Sequence, residues 1–130
     1  MINLLKKYRG YATTLISLYI NGNRPIPDVV SMLRQEWALA SNIKDKTTRT
    51  HVQDALERII NSIKGISKAP ENGLAIFAGF HMKNPGNYEW VFHAIIPPIP
   101  ISTFKYICDT SFHTEILESM VKSSDTYGII

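Results

Sequence analysis

Apolar and polar positions divide the first half of the chain into one strand and two helices. Residues 14–20 are rich in β-branched and aromatic side chains and end at the turn signal Asn21-Gly22-Asn23, which predicts a first strand. Two prolines then favour a helix start, and apolar residues recur at helical spacing as far as Ala40. Residues 46–66 predict a second helix, because their apolar side chains form one stripe at i, i+3, i+4 and i+7 spacing: Val52, Ala55, Leu56, Ile59, Ile60 and Ile63.

The second half of the chain alternates short apolar runs with turns. The turn at residues 84–87 separates two such runs and predicts a hairpin, whereas the prolines of residues 97–100 predict a loop or an edge crossing. The predicted elements are strands over residues 74–80, 88–96, 103–108 and 127–130 and a helix over residues 112–121. This order predicts an α+β fold in which helices, including a long antiparallel helix pair, pack on a mostly antiparallel sheet.

The length of 130 residues suits a single domain over residues 1–130. A soluble protein seldom ends in mid-strand, so the apolar end at Ile129-Ile130 indicates an excised or shortened domain. The one cysteine, Cys108, cannot form an internal disulfide, and a reducing, cytoplasmic compartment is expected. The longest later apolar run, residues 91–101, contains three prolines and is well below the roughly 20 residues that span a bilayer, so no membrane is expected.

Charge is distributed unevenly along the chain. Residues 1–65 contain 10 Lys and Arg against 5 Asp and Glu, a net charge of +5, whereas residues 66–130 contain 4 against 6, a net charge of −2. This asymmetry predicts one basic face, and a polyanion such as RNA is the commonest partner of such a face.

The sequence shows no residue pattern that is typical of catalysis. Ser, His and Asp occur without a Gly-x-Ser-x-Gly or Cys-His signature, so an enzyme is not expected. Cys108 and His113, with His81 or His93, could hold a metal ion, but their spacing is not that of a zinc finger. The sequence therefore predicts no catalytic residue, no metal and no cofactor.

The junction of the two predicted helices combines groups that contact RNA. Asn42 offers an amide to base edges, and the residues around it offer cations and hydroxyls to phosphates: Lys44, Lys46, Thr47, Thr48 and Arg49. The positive N-terminus of the second helix adds to this attraction. A purely structural interpretation also explains these residues, since Asn42 can end the first helix in a left-handed conformation and Asp45 can cap the second, with the cations simply solvated.

Two separate motifs resemble one known family. Residues 36–45, Glu-Trp-Ala-Leu-Ala-Ser-Asn-Ile-Lys-Asp, resemble the segment of archaeal and eukaryotic class 1 peptide chain release factors that carries their Asn-Ile-Lys-Ser motif. Residues 106–112 match the same family's Tyr-x-Cys-x-x-x-Phe signature. The similarity is archaeal in character, extends over residues 12–130 and corresponds to the family's N-terminal, stop-codon-reading domain. It implies recognition of stop codons in the ribosomal A site during translation termination, with mRNA and ribosomal RNA as partners.

The resemblance assigns two groups of residues to the codon. Those that would face the first-position uridine are Asn42, Ile43 and Lys44. Those that would form the pocket selecting the purines are Thr13, Glu36, Tyr106 and Cys108. The full set of expected mRNA contacts adds Thr14, Asp45 and Phe112. Lys44 and Tyr106 are expected to be exposed on the reading face.

Three departures from the family pattern lead to predictions of their own. Asp45 stands where the family has serine and places a carboxylate near the mRNA, which predicts weaker codon binding. Ala12-Thr13-Thr14 stands in place of Gly-Thr-Ser and loses the backbone freedom of glycine. The family's catalytic Gly-Gly-Gln motif is absent, so this chain is not expected to hydrolyse peptidyl-tRNA. The hydrolytic domain, and the domains that would bind a GTPase release factor partner, are expected to lie outside it.

Two other classes of function stay open at the level of sequence. A general RNA-binding or ribosome-rescue module, whose altered tip no longer reads stop codons, would have the same basic half. A protein-interaction domain would need that half only as a solubility surface. Competition at stop codons separates the first alternative from codon recognition, and RNA binding separates the second from both.

Overall fold

The chain folds into helices and strands packed in layers, in a computed structural model that describes residues 1–126, with side chains described as far as Met120. The elements in chain order are α1 (Ile2–Leu5), β1 (Leu15–Ile20), α2 (Ile26–Ala40), α3 (Lys46–Ile63), β2 (Leu74–Asn84), β3 (Asn87–Ile95), β4 (Lys105–Asp109) and α4 (Glu115–Thr126).

The strands form one antiparallel sheet in the order β3-β2-β1-β4. Strand β1 lies between β2 and β4, and all six of its residues are buried. In this register, Leu18 of β1 lies opposite Ile76 of β2 and Tyr106 of β4. Because β1 pairs with the last strand, the sheet brings Thr13 into contact with Cys108, 95 positions further along the chain.

Alternate residues of β1 enter two different cores, because successive side chains of a strand point to opposite faces of its sheet. Ile16, Leu18 and Ile20 face the core formed with α2 and α3. Leu15 and Tyr19 face the other core, to which α1 and α4 contribute. A strand that is buried on both faces lacks the apolar and polar alternation of a half-exposed strand, which explains the continuous apolar run at this position.

The antiparallel pair α2 and α3 covers one face of the sheet. The apolar stripe predicted for the second helix is the buried face of α3: Val52, Ala55, Leu56, Ile59, Ile60 and Ile63. Across the pair, Gln53 Nε2 donates to the carbonyl oxygen of Trp37 (3.2 Å). The helix pair and the antiparallel sheet confirm the predicted α+β fold class.

The helices differ from the predicted elements in three details. Helix α3 ends at Ile63 rather than at residue 66. The sequence pattern has no signal for α1, a helix of four residues whose Leu5 is fully buried. Helix α4 begins at Glu115 rather than at residue 112, and its first backbone hydrogen bond runs from the Glu118 N–H to the Thr114 carbonyl oxygen (2.9 Å). The predicted strand over residues 127–130 lies outside the described residues.

Within residues 1–126, no helix is both long and apolar enough to cross a membrane.

Candidate functional site

Residues 41–45, which we call the tip, connect α2 to α3. Helix α2 ends in tight turns, in which the N–H groups of residues 42 and 43 donate to carbonyl oxygens three positions earlier, at 3.1 and 3.0 Å. Asn42 does not adopt the left-handed conformation of a helix-ending cap, because Asn23 is the only non-glycine residue with a positive φ among residues 1–126. That structural interpretation of Asn42 is therefore wrong. Asn42 and Lys44 are both exposed, as the sequence predicts for Lys44.

Asp45 caps the N-terminus of α3. Its Oδ2 accepts hydrogen bonds from the Thr48 backbone N–H (2.9 Å) and from the Thr48 hydroxyl (2.7 Å). These bonds favour the ionised carboxylate and hold the pKa of Asp45 below its ordinary value. The predicted capping role is confirmed. Asp45 is exposed to solvent even though its carboxylate is bonded to the first turn of α3.

Arg49 braces the tip from the first turns of α3. Its Nη1 donates to the carbonyl oxygen of Ile43 (2.9 Å) and lies 3.5 Å from the carbonyl oxygen of Lys44. The sequence analysis treats Arg49 as a cation available to phosphates, whereas the structure shows its guanidinium bonded to the tip backbone. The exposed cations of this region are Lys44 and Lys46. Arg49 is therefore a positioning residue, which residue type and spacing alone do not distinguish from a phosphate ligand.

A cavity of about 230 Å³ lies beside the tip, where α2, α3 and β4 approach one another. Five of its lining residues belong to the set expected to contact mRNA: Thr13, Glu36, Ile43, Tyr106 and Cys108. The remaining wall is apolar and consists of Leu39, Ala40 and Val52, which the sequence analysis does not assign to the site. Val52 belongs to the buried stripe of α3, so the periodicity identifies it as a core residue and not as a wall of a cavity. The structure thus brings together residues from four distant parts of the chain.

Strand β4 positions two of these residues on the same side. Tyr106 and Cys108 are two positions apart, so both side chains point to the sheet face that α2 and α3 cover. The expectation that Tyr106 is exposed is wrong, because its ring is half-buried and packs against the core under the helix pair. Burial, with a smaller contribution from Cys108 and Glu36, raises the pKa of Tyr106 well above its ordinary value. The phenol therefore remains a neutral O–H that can donate or accept.

Cys108 ties the start of β1 to β4. Its Sγ donates a hydrogen bond to the Thr13 carbonyl oxygen (2.9 Å), which fixes the backbone that carries the exposed Thr13 side chain. Burial raises the pKa of the Cys108 thiol to about 11, so the side chain is a protonated donor at neutral pH. The thiol is a poor nucleophile in this state, because thiolate is the reactive form.

Glu36 is half-buried on α2 and contributes the carboxylate of the cavity. The cavity therefore combines a carboxylate acceptor, the Tyr106 phenol and the Thr13 hydroxyl with an apolar wall. A flat ligand with both donors and acceptors on its edge, such as an unpaired base, suits this combination. The exposed ammonium of Lys44 at the adjoining tip can neutralise an anion that accompanies such a ligand.

Five residues of the expected set do not line this cavity: Asn42, Lys44 and Asp45 lie on the adjoining tip, and Thr14 and Phe112 lie elsewhere in the fold. Thr14 is fully buried, and its hydroxyl lies 3.5 Å from the Phe80 carbonyl oxygen. Phe112 belongs to the core on the opposite face of the sheet, where its ring makes edge contacts with Tyr8 and Phe77. Both side chains support the fold around the site and present no surface to a ligand there.

Within residues 1–120, whose side chains the structure describes, no three His, Cys, Asp or Glu side chains lie close enough together to coordinate a metal ion.

The fold and the site define an α+β domain that places a small polar cavity beside the exposed tip of a helix pair. The chain belongs to the eRF1 domain 1 family, whose model it matches over residues 1–122. The family expected from the two sequence motifs is thereby confirmed.

The chain is similar in sequence to archaeal peptide chain release factors. The chain is 70% identical over 129 residues to peptide chain release factor subunit 1 of Pyrobaculum aerophilum, and 46% identical over 129 residues to the protein of that name from Pyrococcus abyssi. Each match covers 99% of this chain but only 33% and 31% of the two relatives, respectively. The chain thus spans about a third of the length of the relatives it matches.

Two solved structures are similar to the chain. One, described as an archaeal protein, has a TM-score of 0.88 at 38% identity and covers 95% of this chain and 34% of its own. The other is the crystal structure of the archaeal translation termination factor aRF1, with a TM-score of 0.82 at 39% identity, covering 92% of this chain and 32% of its own. Both comparisons support the same fold for this chain.

Proposed function

We propose that this chain is one domain that recognises stop codons in the ribosomal A site and that it does not itself hydrolyse peptidyl-tRNA. The observation that carries the proposal is the cavity beside the tip, which collects five of the residues expected to contact mRNA. Family membership supports the same function, because the relatives are named peptide chain release factor subunit 1. A polar cavity next to an exposed cation suits an unpaired base with its phosphate.

The tip is assigned to the first codon position. Asn42 presents an amide and Ile43 an apolar surface to the uridine, and Lys44 neutralises a phosphate. The Arg49 brace and the Asp45 cap hold this backbone before RNA arrives, so less conformational entropy is lost on binding.

The cavity is assigned to the purines at the second and third positions. Glu36 accepts hydrogen bonds from amino groups on the bases, while the Tyr106 phenol and the Thr13 hydroxyl offer both a donor and an acceptor. Cys108 acts here mainly through Thr13, whose backbone it holds.

The rest of termination is assigned to parts of the relatives that this chain does not match. The chain has no Gly-Gly-Gln motif and spans about a third of its relatives, so hydrolysis belongs to another domain. Contact with a GTPase release factor is assigned to such domains as well. The partners of this chain are then the mRNA stop codon and the surrounding ribosomal RNA, in the cytoplasm.

A chimeric release factor tests the proposal. The chain replaces the matching N-terminal third of the Pyrococcus abyssi protein, and peptide release is measured on archaeal ribosomes with a stop or a sense codon in the A site. We expect release at stop codons only. At limiting concentrations of the chimera, Lys44→Ala should lower the rate of peptide release by about 10- to 100-fold, as expected for the loss of a charge-assisted contact. Tyr106→Phe should lower the same rate by about 3- to 10-fold.

The matched control is Lys68→Ala, which removes an equally exposed cation between α3 and β2. Thermal unfolding of each variant separates a binding defect from a folding defect. If Lys44→Ala lowers the melting temperature by many degrees without altering release, Lys44 is a structural residue and the assignment of the tip fails.

A general RNA-binding or ribosome-rescue module is the second candidate, favoured by the carboxylate of Asp45 at the tip. On this hypothesis the chimera would bind ribosomes equally well with stop and sense codons. The isolated chain distinguishes the two as well. Nanomolar binding to free single-stranded RNA at physiological salt supports the second candidate, whereas a codon reader with two exposed cations at or beside its tip, Lys44 and Lys46, binds free RNA weakly.

A further inference from the structure

Both tryptophans of the chain lie along a groove on the outer side of α3, which shares no lining residue with the cavity beside the tip. One depression of about 600 Å³ lies between α2 and α3 and is lined by Arg34, Trp37 and Asn61 among others. A second depression of about 460 Å³ lies between α3 and β3 and includes Trp90 and Arg58. Asn61 lines both, so the two depressions meet at this residue. We call the combined surface the α3 groove.

Arg58 and the rings of β2 and β3 form the second half of the groove. The Arg58 guanidinium carbon lies 4.9 Å from the centre of the Trp90 ring and 5.6 Å from that of Phe80. Trp90 also packs nearly parallel to Phe92, with ring centres 6.3 Å apart. The Nε–H of Arg58 donates to the Asp54 carboxylate (3.2 Å), and its two Nη atoms provide four further N–H donors. A fixed cation therefore borders an aromatic surface that is only partly buried.

The first half of the groove repeats this chemistry on α2. Trp37 is 37% exposed, and the exposed Arg34 precedes it by almost one helical turn. Glu57 also lines this half and is its one acidic group. Two arginines, Arg34 and Arg58, thus line the groove, together with Glu57 and close to the Asp54 that Arg58 engages.

This composition favours RNA over a purely apolar partner. Partly exposed rings accept stacked bases of any sequence, arginine binds phosphate, and the Asn61 amide can bond to a base edge. Apart from the two rings of β3, Trp90 and Phe92, the groove is formed by residues 1–65, which carry the net charge of +5. An apolar protein segment would gain little from the two lining arginines and would have to desolvate them.

We propose that the α3 groove binds unpaired nucleotides of single-stranded RNA, with a base stacked on Trp90 and its phosphates held by Arg58 and Arg34. This second RNA site is separate from the tip and does not depend on codon recognition. Arg58, the phosphate ligand of this proposal, lies twelve residues into α3 and therefore about 18 Å along the helix from its start beside the tip.

Tryptophan fluorescence measures occupancy of this groove directly, because the chain has only two tryptophans and both line it. The Trp37→Phe variant of the 130-residue chain, in which Trp90 is the only tryptophan, is titrated with a twelve-nucleotide oligoadenylate. Excitation at the red edge of the absorption band keeps the signal specific to tryptophan. We expect saturable quenching with half-saturation at about 1–100 µM at physiological salt, and a log–log salt slope of about −1.4 for two phosphate contacts on a single strand.

Substitutions at the arginines identify the source of the quenching. Arg58→Ala should weaken the oligoadenylate affinity about tenfold, and Arg34→Ala should weaken it by a similar factor. The matched control is Arg24→Ala, because Arg24 also lies over an aromatic ring, that of Phe104 at 5.1 Å, but near β4 at the opposite edge of the sheet. If Arg58→Ala lowers the melting temperature, the exposed Arg34 provides the test alone.

Three results would overturn the proposal. The first is no quenching of Trp90 up to millimolar oligoadenylate. The second is quenching that Arg34→Ala and Arg58→Ala leave unchanged. The third is a concentration-dependent shift of the tryptophan emission without RNA, with a dimer in sedimentation, which would make the groove an interface between two copies of the chain.

Discussion

Replacing Arg49 by methionine should loosen the tip without unfolding the domain. Methionine keeps much of the length of the side chain but removes every N–H donor, so the hydrogen bond of 2.9 Å to the Ile43 carbonyl oxygen is lost. The backbone N–H of residue 49 still donates to the Asp45 carbonyl oxygen (2.9 Å), so the first turn of α3 stays formed. The effect should therefore be confined to the tip.

The geometry sets the size of this effect. A hydrogen bond with one charged partner contributes about 1.5–3 kcal/mol, and the partial exposure of Arg49 reduces this contribution to about 1–1.5 kcal/mol. The contact of 3.5 Å with the Lys44 carbonyl oxygen is too long to add much. The local opening equilibrium should therefore rise by roughly 5- to 13-fold. Codon-dependent ribosome binding should fall by no more than this factor, because only the population of the ordered tip changes.

Amide hydrogen exchange at Ile43 measures the opening directly, since its N–H donates to a carbonyl oxygen of α2 at 3.0 Å. Exchange at Ile43 should accelerate by that 5- to 13-fold, while amides in the middle of α3 keep their protection. Lys46→Met is the matched control, because it removes an exposed cation from the same turn. Unchanged exchange at Ile43 in Arg49→Met, or an equal acceleration in Lys46→Met, would refute the bracing role.

Three further predictions concern titratable groups. Asp45→Ser should keep the cap, leave the melting temperature nearly unchanged and strengthen codon-dependent ribosome binding by the chimera. Asp45→Ala should lower the melting temperature by a few degrees, because the cap is lost. A serine variant that is equally stable and binds no better would show that the carboxylate does not act on the codon. Cys108, with its pKa raised to about 11, should react with iodoacetamide at pH 8 about tenfold more slowly than an ordinary thiol, because its smaller thiolate fraction outweighs the higher nucleophilicity of its thiolate. A rate equal to that of free cysteine would contradict its burial. The His113 ring (2.8 Å) and a backbone N–H hold the pKa of Asp109 below its ordinary value, so its contribution to stability is present above about pH 4 and is lost as the pH falls through the lowered pKa. The melting temperature of Asp109→Asn should accordingly lie below that of the unmodified chain at pH 7 and approach it near pH 2, and a constant difference would count against this assignment.

Local patterns in the sequence predict local structure well. The stripe from Val52 to Ile63 identifies the buried face of α3 because a helix repeats its faces every 3.6 residues. Asp45 is recognisable as a cap because aspartate is a preferred residue type immediately before a helix, where its side chain can accept from the backbone N–H three positions later, as it does here from Thr48. Helix α1 has no comparable signal, since four residues are too few to show a helical period.

The site could not be predicted from such patterns alone. The spacing of Tyr106 and Cys108 places both on one face of β4, but a period of two does not specify which face is covered. Only the pairing of β1 with β4 brings Thr13 to Cys108, and such a long-range pairing leaves no local trace. The family motifs supplied this set of residues, and the same motifs also included Phe112, which lies on the opposite face.

Position 45 shows how the structural and the electrostatic demands on one residue can be separated. The cap needs an oxygen that accepts from the Thr48 N–H, and the serine of the family motif supplies one as well as aspartate does. The fold is therefore indifferent to the exchange, and the remaining difference between the two residues is one negative charge at an exposed tip. Such a charge acts on RNA through screened Coulomb forces, with a Debye length of about 8 Å at physiological salt. If this chain binds stop codons less well than a serine-bearing relative, the deficit should shrink as the salt concentration rises, whereas a deficit caused by altered tip geometry would not.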